Sequence, residues 1–306
     1  MLKETNKNLI IKIILIFALI ANNFDKKYID ISIYKEFIKS QTNTSLIKIF
    51  ILTHKDFNNY RYNPIYNIVA DDKSQLENNY KLNIIYANES KLYNISRGYS
   101  EMYKIYYIYQ LYKNETLNSK YVGVNHYRRY FIFGDNIPDI DEIFKNHDVI
   151  LNKKNHLKRG MLKQYCINHI CRDFVEILNI IKDIKPNYYK TAIKTSKQRS
   201  IHYCNLFIMK KEDFMKYCEF LFDVLFEFDK RNNFFTDNDM LNYSQRFYKY
   251  NNDTLYQSRV QAFLSERISN IYFNQHFKKI KTFKMITYYY FKSSKDKAKR
   301  NEKTIL

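Results

Sequence analysis

The sequence predicts an α/β layered domain over residues 46–275, on two observations. Short apolar runs rich in β-branched residues (46–53, 121–124, 201–210) alternate with longer stretches whose apolar side chains recur at helical spacing (100–112, 162–181, 211–231, 256–273). The first two strand-like runs also end in polar clusters, as parallel strands do where they open into a ligand crevice. A chain of 306 residues with 45% hydrophobic residues can bury a real core, so general disorder is excluded. The glycines are Gly98, Gly123, Gly134 and Gly160, no two close together, which excludes the Gly-rich dinucleotide turn and the triphosphate-cradling loop.

Residues 46–53 (LIKIFILT) suit a buried strand, and it ends in Thr53-His54-Lys55. Residues 65–70 form a weaker strand before the acidic turn Asp71-Asp72. Residues 100–112 (SEMYKIYYIYQLY) read as a helix packed on the sheet, its tyrosines mostly in or near the core. Residues 120–133 (KYVGVNHYRRYFIF) carry the strongest signal. A strand over 121–124 stops at Asn125-His126-Tyr127-Arg128-Arg129-Tyr130, and burying a His and two Arg there without a function would cost several kcal/mol. The alternative is a surface hairpin with its arginines facing water. Residues 162–181 have helical periodicity, place Gln164, Tyr165 and His169 near the helix start, and give way at Pro186. Residues 201–210 form an apolar strand interrupted by Asn205, a residue type able to hydrogen-bond a sugar or base edge. Residues 211–231 form an amphipathic helix with Phe214, Tyr217, Leu221, Val224 and Phe228 on its buried stripe. Asp237 and Asp239 follow, two apart, and a last helix over 256–273 carries Arg259, Glu266 and Arg267.

Outside the domain, residues 13–21 are continuously apolar behind Lys3, Lys7 and Lys12. They are too short to span a bilayer and read as an appended helix, with a signal or membrane-surface anchor as the alternative. Residues 22–45 read as a linker, so that 1–45 forms an N-terminal segment. Residues 276–306 read as a basic aromatic tail, suited to an anionic membrane face or to a solvated terminus. The net charge of +20 raises nucleic-acid binding as a competing function. The basic residues are spread along the chain and no nucleic-acid fold signature appears, so a nucleic-acid partner is not expected. Cys166, Cys171, Cys204 and Cys218 lack paired Cys-x-x-Cys spacing, which argues against a zinc ribbon. They read as small buried hydrophobes in a reducing compartment, with a soft-metal cluster of Cys166, His169, Cys171, His202 and Cys204 as the alternative.

Several of these stretches together resemble a known family. They are Thr53-His54-Lys55, Asn94-Ile95-Ser96 with Glu101, the stretch from Tyr121 through His126-Tyr127-Arg128-Arg129-Tyr130 to Phe131, Gln164-Tyr165 with His169, Asn205 with Phe207, and Arg259 with Phe263, Glu266 and Arg267. Their order and spacing over about residues 47–275 is similar to the glycosyltransferase-like domain of unknown function found in bacterial capsular and exopolysaccharide biosynthesis proteins. The His-Tyr-Arg-Arg-Tyr stretch is the most specific mark. The chain departs from the family where the usual tryptophans are Tyr or Phe, and where a Cys or similar residue before His126 is Asn125.

The resemblance implies a single-domain Rossmann-like fold of the GT-A type, with a central mixed sheet flanked by helices. It implies a transferase moving a sugar from a nucleotide-sugar donor to a surface or capsular glycan acceptor, in the cytoplasm, at the inner membrane face if the tail engages lipid. An inactive sugar-binding relative is the alternative. Such enzymes mostly hold a divalent metal through Asp-x-Asp at a strand end. Here that position offers Arg128 and Arg129, so leaving-group stabilisation without a cofactor is expected, with Mn²⁺ or Mg²⁺ left open. His126 would orient the phosphate or act as an acid. Thr53, His54 and Arg259 join the donor-binding set, and Asn205, Gln164, Tyr165 and His169 the sugar- or base-binding set. Asp237, Asp239 and Glu266 are the candidate carboxylate bases. Asp237-Asn238-Asp239 also reads as a helix cap, Asp139-Ile140-Asp141 as a helix start, and Glu266 with Arg267 as an ion pair.

Overall fold

The computed structural model describes residues 46–57, 63–76, 82–133, 137–247 and 253–287, within a compact unit spanning 42–306. The expected N-terminal helix and linker of residues 1–45, and the tail from 288 onward, lie outside the described residues.

The chain opens with strands β1 (Ile47–Leu52), β2 (Tyr66–Ala70) and β3 (Asn83–Tyr86), a short helix (Ser96–Tyr99), and helix α1 (Met102–Lys113). Strands β4 (Tyr121–His126) and β5 (Arg129–Phe131), helix α2 (Ile140–Asn146), and strands β6 (Val149–Asn152) and β7 (Asn155–His156) follow. Then come α3 (Met161–Asn168), α4 (Cys171–Ile184), α5 (Pro186–Lys197), β8 (Ser200–Ile201) and β9 (Phe207–Lys210). Helices α6 (Lys211–Asn232), α7 (Asp237–Phe247) and α8 (Val260–His276) precede strands β10 (Ile280–Phe283) and β11 (Met285–Thr287).

The result is an α/β fold with a mixed central sheet in the order β10-β6-β9-β4-β1-β2-β3. β1 lies parallel to both β2 and β4, and β9 runs antiparallel between β4 and β6. The apolar run of β1 is explained by burial on both faces. Phe50 and Leu52 enter an aromatic core with α1, α4, α6 and α8. Ile47, Ile49 and Ile51 face the opposite side with Tyr121, Phe144, Ile150 and Phe131. Several buried tyrosine hydroxyls find partners, as Tyr99 on Asp229 (2.5 Å), Tyr112 on Ser119 (2.6 Å) and Tyr217 on Ser269 (2.8 Å).

Four expectations are corrected. The helix expected over 162–181 is two helices, broken at His169-Ile170, with Cys166 and Cys171 joined in a disulfide across the break. Those two thiols are therefore not free hydrophobes, and they are not available as metal ligands. As expected, α4 ends just before Pro186, which itself opens the first turn of α5, where its missing N–H costs nothing. The strand expected over 201–210 is split, because Cys204 (φ 70°) and Asn205 (φ 48°) take left-handed backbone that a strand cannot hold. The stretch read as a tail from 276 contributes two strands, β10 beside β6 and β11 beside β5.

Candidate active site

The carboxyl ends of β1 and β4 open into a cleft of about 1360 Å³. Thr53 and His54 leave β1 onto its floor, and α1 stitches that floor from below. The Nζ of the buried Lys104 donates to the carbonyl of Thr53 (2.6 Å) and pairs with Asp71 at the end of β2. Asp71 also accepts from the hydroxyl of Tyr103. Burial lowers the His54 imidazole, and the Lys104 charge adds to that.

β4 ends at His126, where the chain reverses through Tyr127-Arg128 into β5. The hairpin alternative is therefore right about the backbone, yet both arginines are half-buried and line the cleft. Arg128 lies over the Tyr127 ring (5.7 Å to its centroid), and Arg129 is held by β11 through pairing with Thr287. His126 is buried, and its Nε2 donates to the carbonyl of Cys204 (2.7 Å). A carbonyl only accepts, so this nitrogen carries the proton. Burial pulls the imidazole down to about 4, against the pull of Glu101.

Two carboxylates with unlike surroundings face the same space. Burial pushes Glu101 up, but His126 and Arg259 outweigh it, holding it at about 2. Arg259 reaches Glu101 at 3.4 Å and the Ser100 hydroxyl at 2.7 Å. Glu266, on α8, accepts the Cys204 N–H (2.9 Å) and the guanidinium of buried Arg267 (2.8 Å). Burial pushes its carboxyl up, and Arg267 offsets only part of that. Arg267 also donates to Gln164 Oε1 (3.0 Å), so one guanidinium fixes two cleft side chains. The Glu266–Arg267 pair anticipated as structural is present, with Glu266 still lining the cleft. His169, at the break between α3 and α4, stacks on Phe263 (4.0 Å) and donates through Nδ1 to Gln257 Oε1 (3.1 Å).

Thus His126, Glu266, Asp237, Arg128, Arg129, Arg259, Thr53, His54, Gln164 and His169 all line one cleft. Within it Asp237 stands apart: its carboxylate engages Arg97, accepting from the backbone N–H at 3.0 Å. Three assignments are corrected. Asn205 is turned into the core, its amide bonding Ser265 (3.0 Å) and its oxygen accepting from Ser269 (3.0 Å), so nothing remains for a sugar. Tyr165 is fully buried behind His169, under the Arg267 guanidinium. Asp239 forms the capping box of α7, accepting from Thr236 N (2.7 Å) while Thr236 Oγ1 accepts from Asp239 N (3.3 Å). Sequence reasoning gave no role to Lys104, Asp71 or Glu101. Lys104 was the one charge inside an aromatic helical stripe, a signal that it needs a buried partner.

Among the described residues no three His, Cys, Asp or Glu side chains converge to hold a metal ion. Asp139 caps α2, and Asp141 is engaged by Lys120 (2.5 Å) and the Tyr121 hydroxyl (2.6 Å). The thiol of Cys204 is pushed up to about 12 by burial, so it is no nucleophile at neutral pH.

The profile of a protein family described as Domain of unknown function (DUF4422) matches residues 48–278. Among solved structures, the apo structure of the WbbM bifunctional glycosyltransferase superposes with a TM-score of 0.59 at 21% identity. That match covers 78% of this chain and 45% of WbbM, so the chain spans less than half of WbbM's length; the likeness is one of fold. The mannosyltransferase Ktr4p of S. cerevisiae matches 64% of this chain and 71% of its own at 12% identity, with a TM-score of 0.29 that is too low to carry an argument. No curated protein matches the sequence.

Proposed function

We propose, for a chain that belongs to the DUF4422 family, that the cleft transfers a sugar from a nucleotide-sugar donor to a hydroxyl of a surface or capsular glycan. The observation that carries this reading is the arginine hairpin. Two guanidiniums on the turn after the central strand, in a cleft at the carboxyl ends of parallel strands, suit a diphosphate. The donor's nucleoside would lie toward Thr53 and His54. As the bond between sugar and diphosphate breaks, charge develops on the departing phosphate oxygens, and Arg128 and Arg129 stabilise it in place of a metal.

For transfer with inversion, Glu266 is the base. A carboxyl raised by burial keeps more affinity for the acceptor's proton than Glu101, which is held at about 2. His126 has its Nε2 proton committed to the Cys204 carbonyl and carries no second proton at neutral pH. Its role is to fix the hairpin against the Cys204 turn, not to act as an acid.

A thermal-shift screen of nucleoside diphosphates and nucleotide sugars, with EDTA and with Mn²⁺, tests the reading. At a hundredfold excess over Kd a ligand adds about 2.7 kcal/mol to the folded state, and an upward shift in EDTA is expected. The Arg128→Ala/Arg129→Ala variant should lose it. A shift that appears only with Mn²⁺ would refute the arginine mechanism, and no shift with any nucleotide would refute the donor class.

A further inference from the structure

We propose that the mouth of the cleft docks on an anionic lipid surface, so that the site opens against a bilayer. Two observations carry this independently of the transfer reading.

The first is an apolar rim. Ile167, Leu255 and Tyr256 line the cleft yet stand 58%, 57% and 45% exposed. Gln257 ties the segments that bear them together, donating to the Asn168 carbonyl (3.0 Å) while accepting from His169. The Tyr256 ring packs beside Phe263 (5.0 Å), on which His169 also stacks. Single exposed apolar side chains are ordinary, but a group of them at a site's mouth marks an interaction surface.

The second is where the chain goes. Met285 and Thr287 of β11 line the same cleft, and Thr287 pairs with Arg129. Directly after Thr287 the sequence reads YYYFKSSKDKAKRNEKTIL. It sets Lys292, Lys295, Lys297, Lys299, Arg300 and Lys303 against Asp296 and Glu302, behind an unbroken aromatic run. Aromatic rings favour the headgroup level of a membrane, and clustered Lys and Arg are attracted to anionic lipid. This segment follows directly on Thr287, a residue of the cleft wall. A glycan would favour flat rings, whereas the aliphatic Ile167 and Leu255 favour hydrocarbon.

The test is co-sedimentation of the full chain with phosphatidylcholine vesicles, with and without phosphatidylglycerol, at low and high salt. Binding is expected only with phosphatidylglycerol and should weaken as salt rises. Lys292→Ser/Lys295→Ser/Lys297→Ser/Lys299→Ser should weaken it on the order of a thousandfold. Ile167→Ser/Leu255→Ser/Tyr256→Ser should weaken it roughly tenfold, with the melting temperature retained because these side chains are exposed. Absence of binding to anionic vesicles overturns the proposal, and so does a rim variant that binds like the parent chain, which would leave the tail acting alone. A soluble glycan that stabilises the parent but not the rim variant, without vesicle binding, also overturns it and makes the rim a sugar platform. Nucleotide-induced melting shifts on the same samples report on the transfer reading separately.

Discussion

Glu101 and Glu266 share one cleft, yet their surroundings push the two carboxylates in opposite directions. Replacing Glu266 with Gln keeps its shape and its bond to the Cys204 N–H but removes the carboxylate proposed as the base. Turnover should fall by about 10²–10⁴, while the nucleotide-induced melting shift stays; loss of that shift would make Glu266 a binding residue. Asp239→Ala is the contrasting case. It deletes half of a capping box, so about 1 kcal/mol of stability should go with turnover unchanged, as read by urea unfolding and a rate assay. Legibility at this scale followed local density. His126, Arg128 and Arg129 were readable because three costly groups sit together at one strand end. Asn205 was misread because its partners, Ser265 and Ser269, come from a helix far along the chain, and sequence does not reveal where a polar side chain spends its hydrogen bonds. Lys104 was overlooked for the same reason, since Asp71 belongs to another strand end.

Elements were legible where periodicity ran unbroken, as in β1, α1 and α6, and illegible where backbone geometry interrupted it. The break between α3 and α4 and the left-handed pair Cys204–Asn205 both lie between apolar stretches, so the pattern bridged them. Both interruptions serve the cleft. One turns out His169, and the other aims a carbonyl at His126 and an N–H at Glu266. The short helix Ser96–Tyr99 shows how tightly these pieces fit. A Cβ on Gly98 would stand 1.9 Å from the Met240 sulfur and 2.3 Å from Gln261 Oε1. Gly98→Ala should therefore cost about 1–3 kcal/mol and disturb the neighbouring Arg97 and Glu101. A lower urea midpoint at unchanged slope is the expected signature; an unchanged midpoint would mean that α7 and α8 give way freely.

Across the whole molecule, buried titrating groups pull stability in two directions. Burial raises Asp173 and Asp229 to about 7, above the ~3.9 of an unfolded carboxyl, so the folded chain holds protons that the unfolded one has lost. Their contribution is full below about pH 3.9 and fades as pH rises through 7. His126, His169 and His202, lowered to about 4 by burial, act oppositely and weaken the fold as pH falls from about 6.5 toward 4. Relative to an Asp173→Asn/Asp229→Asn variant, the parent should lose stability between pH 4 and pH 7; a pH-independent difference in urea unfolding would contradict the assignment. The α/β class was legible from alternation alone. The strand order was not, because β9 enters antiparallel between β4 and β6, and β10 and β11 come from a stretch whose charge suggested a tail.

That late pairing has a consequence for biosynthesis. Chains fold from the amino terminus as they leave the ribosome, so β1, β2, β4 and the β4–β5 turn can assemble early, whereas the outer edge of β5 waits for β11, the last described strand to be made. Until then Arg129 is paired with His126 alone. An arrested nascent chain lacking residues beyond 284 should show a protease-sensitive turn at Arg128-Arg129 that becomes resistant once residues 285–287 are added.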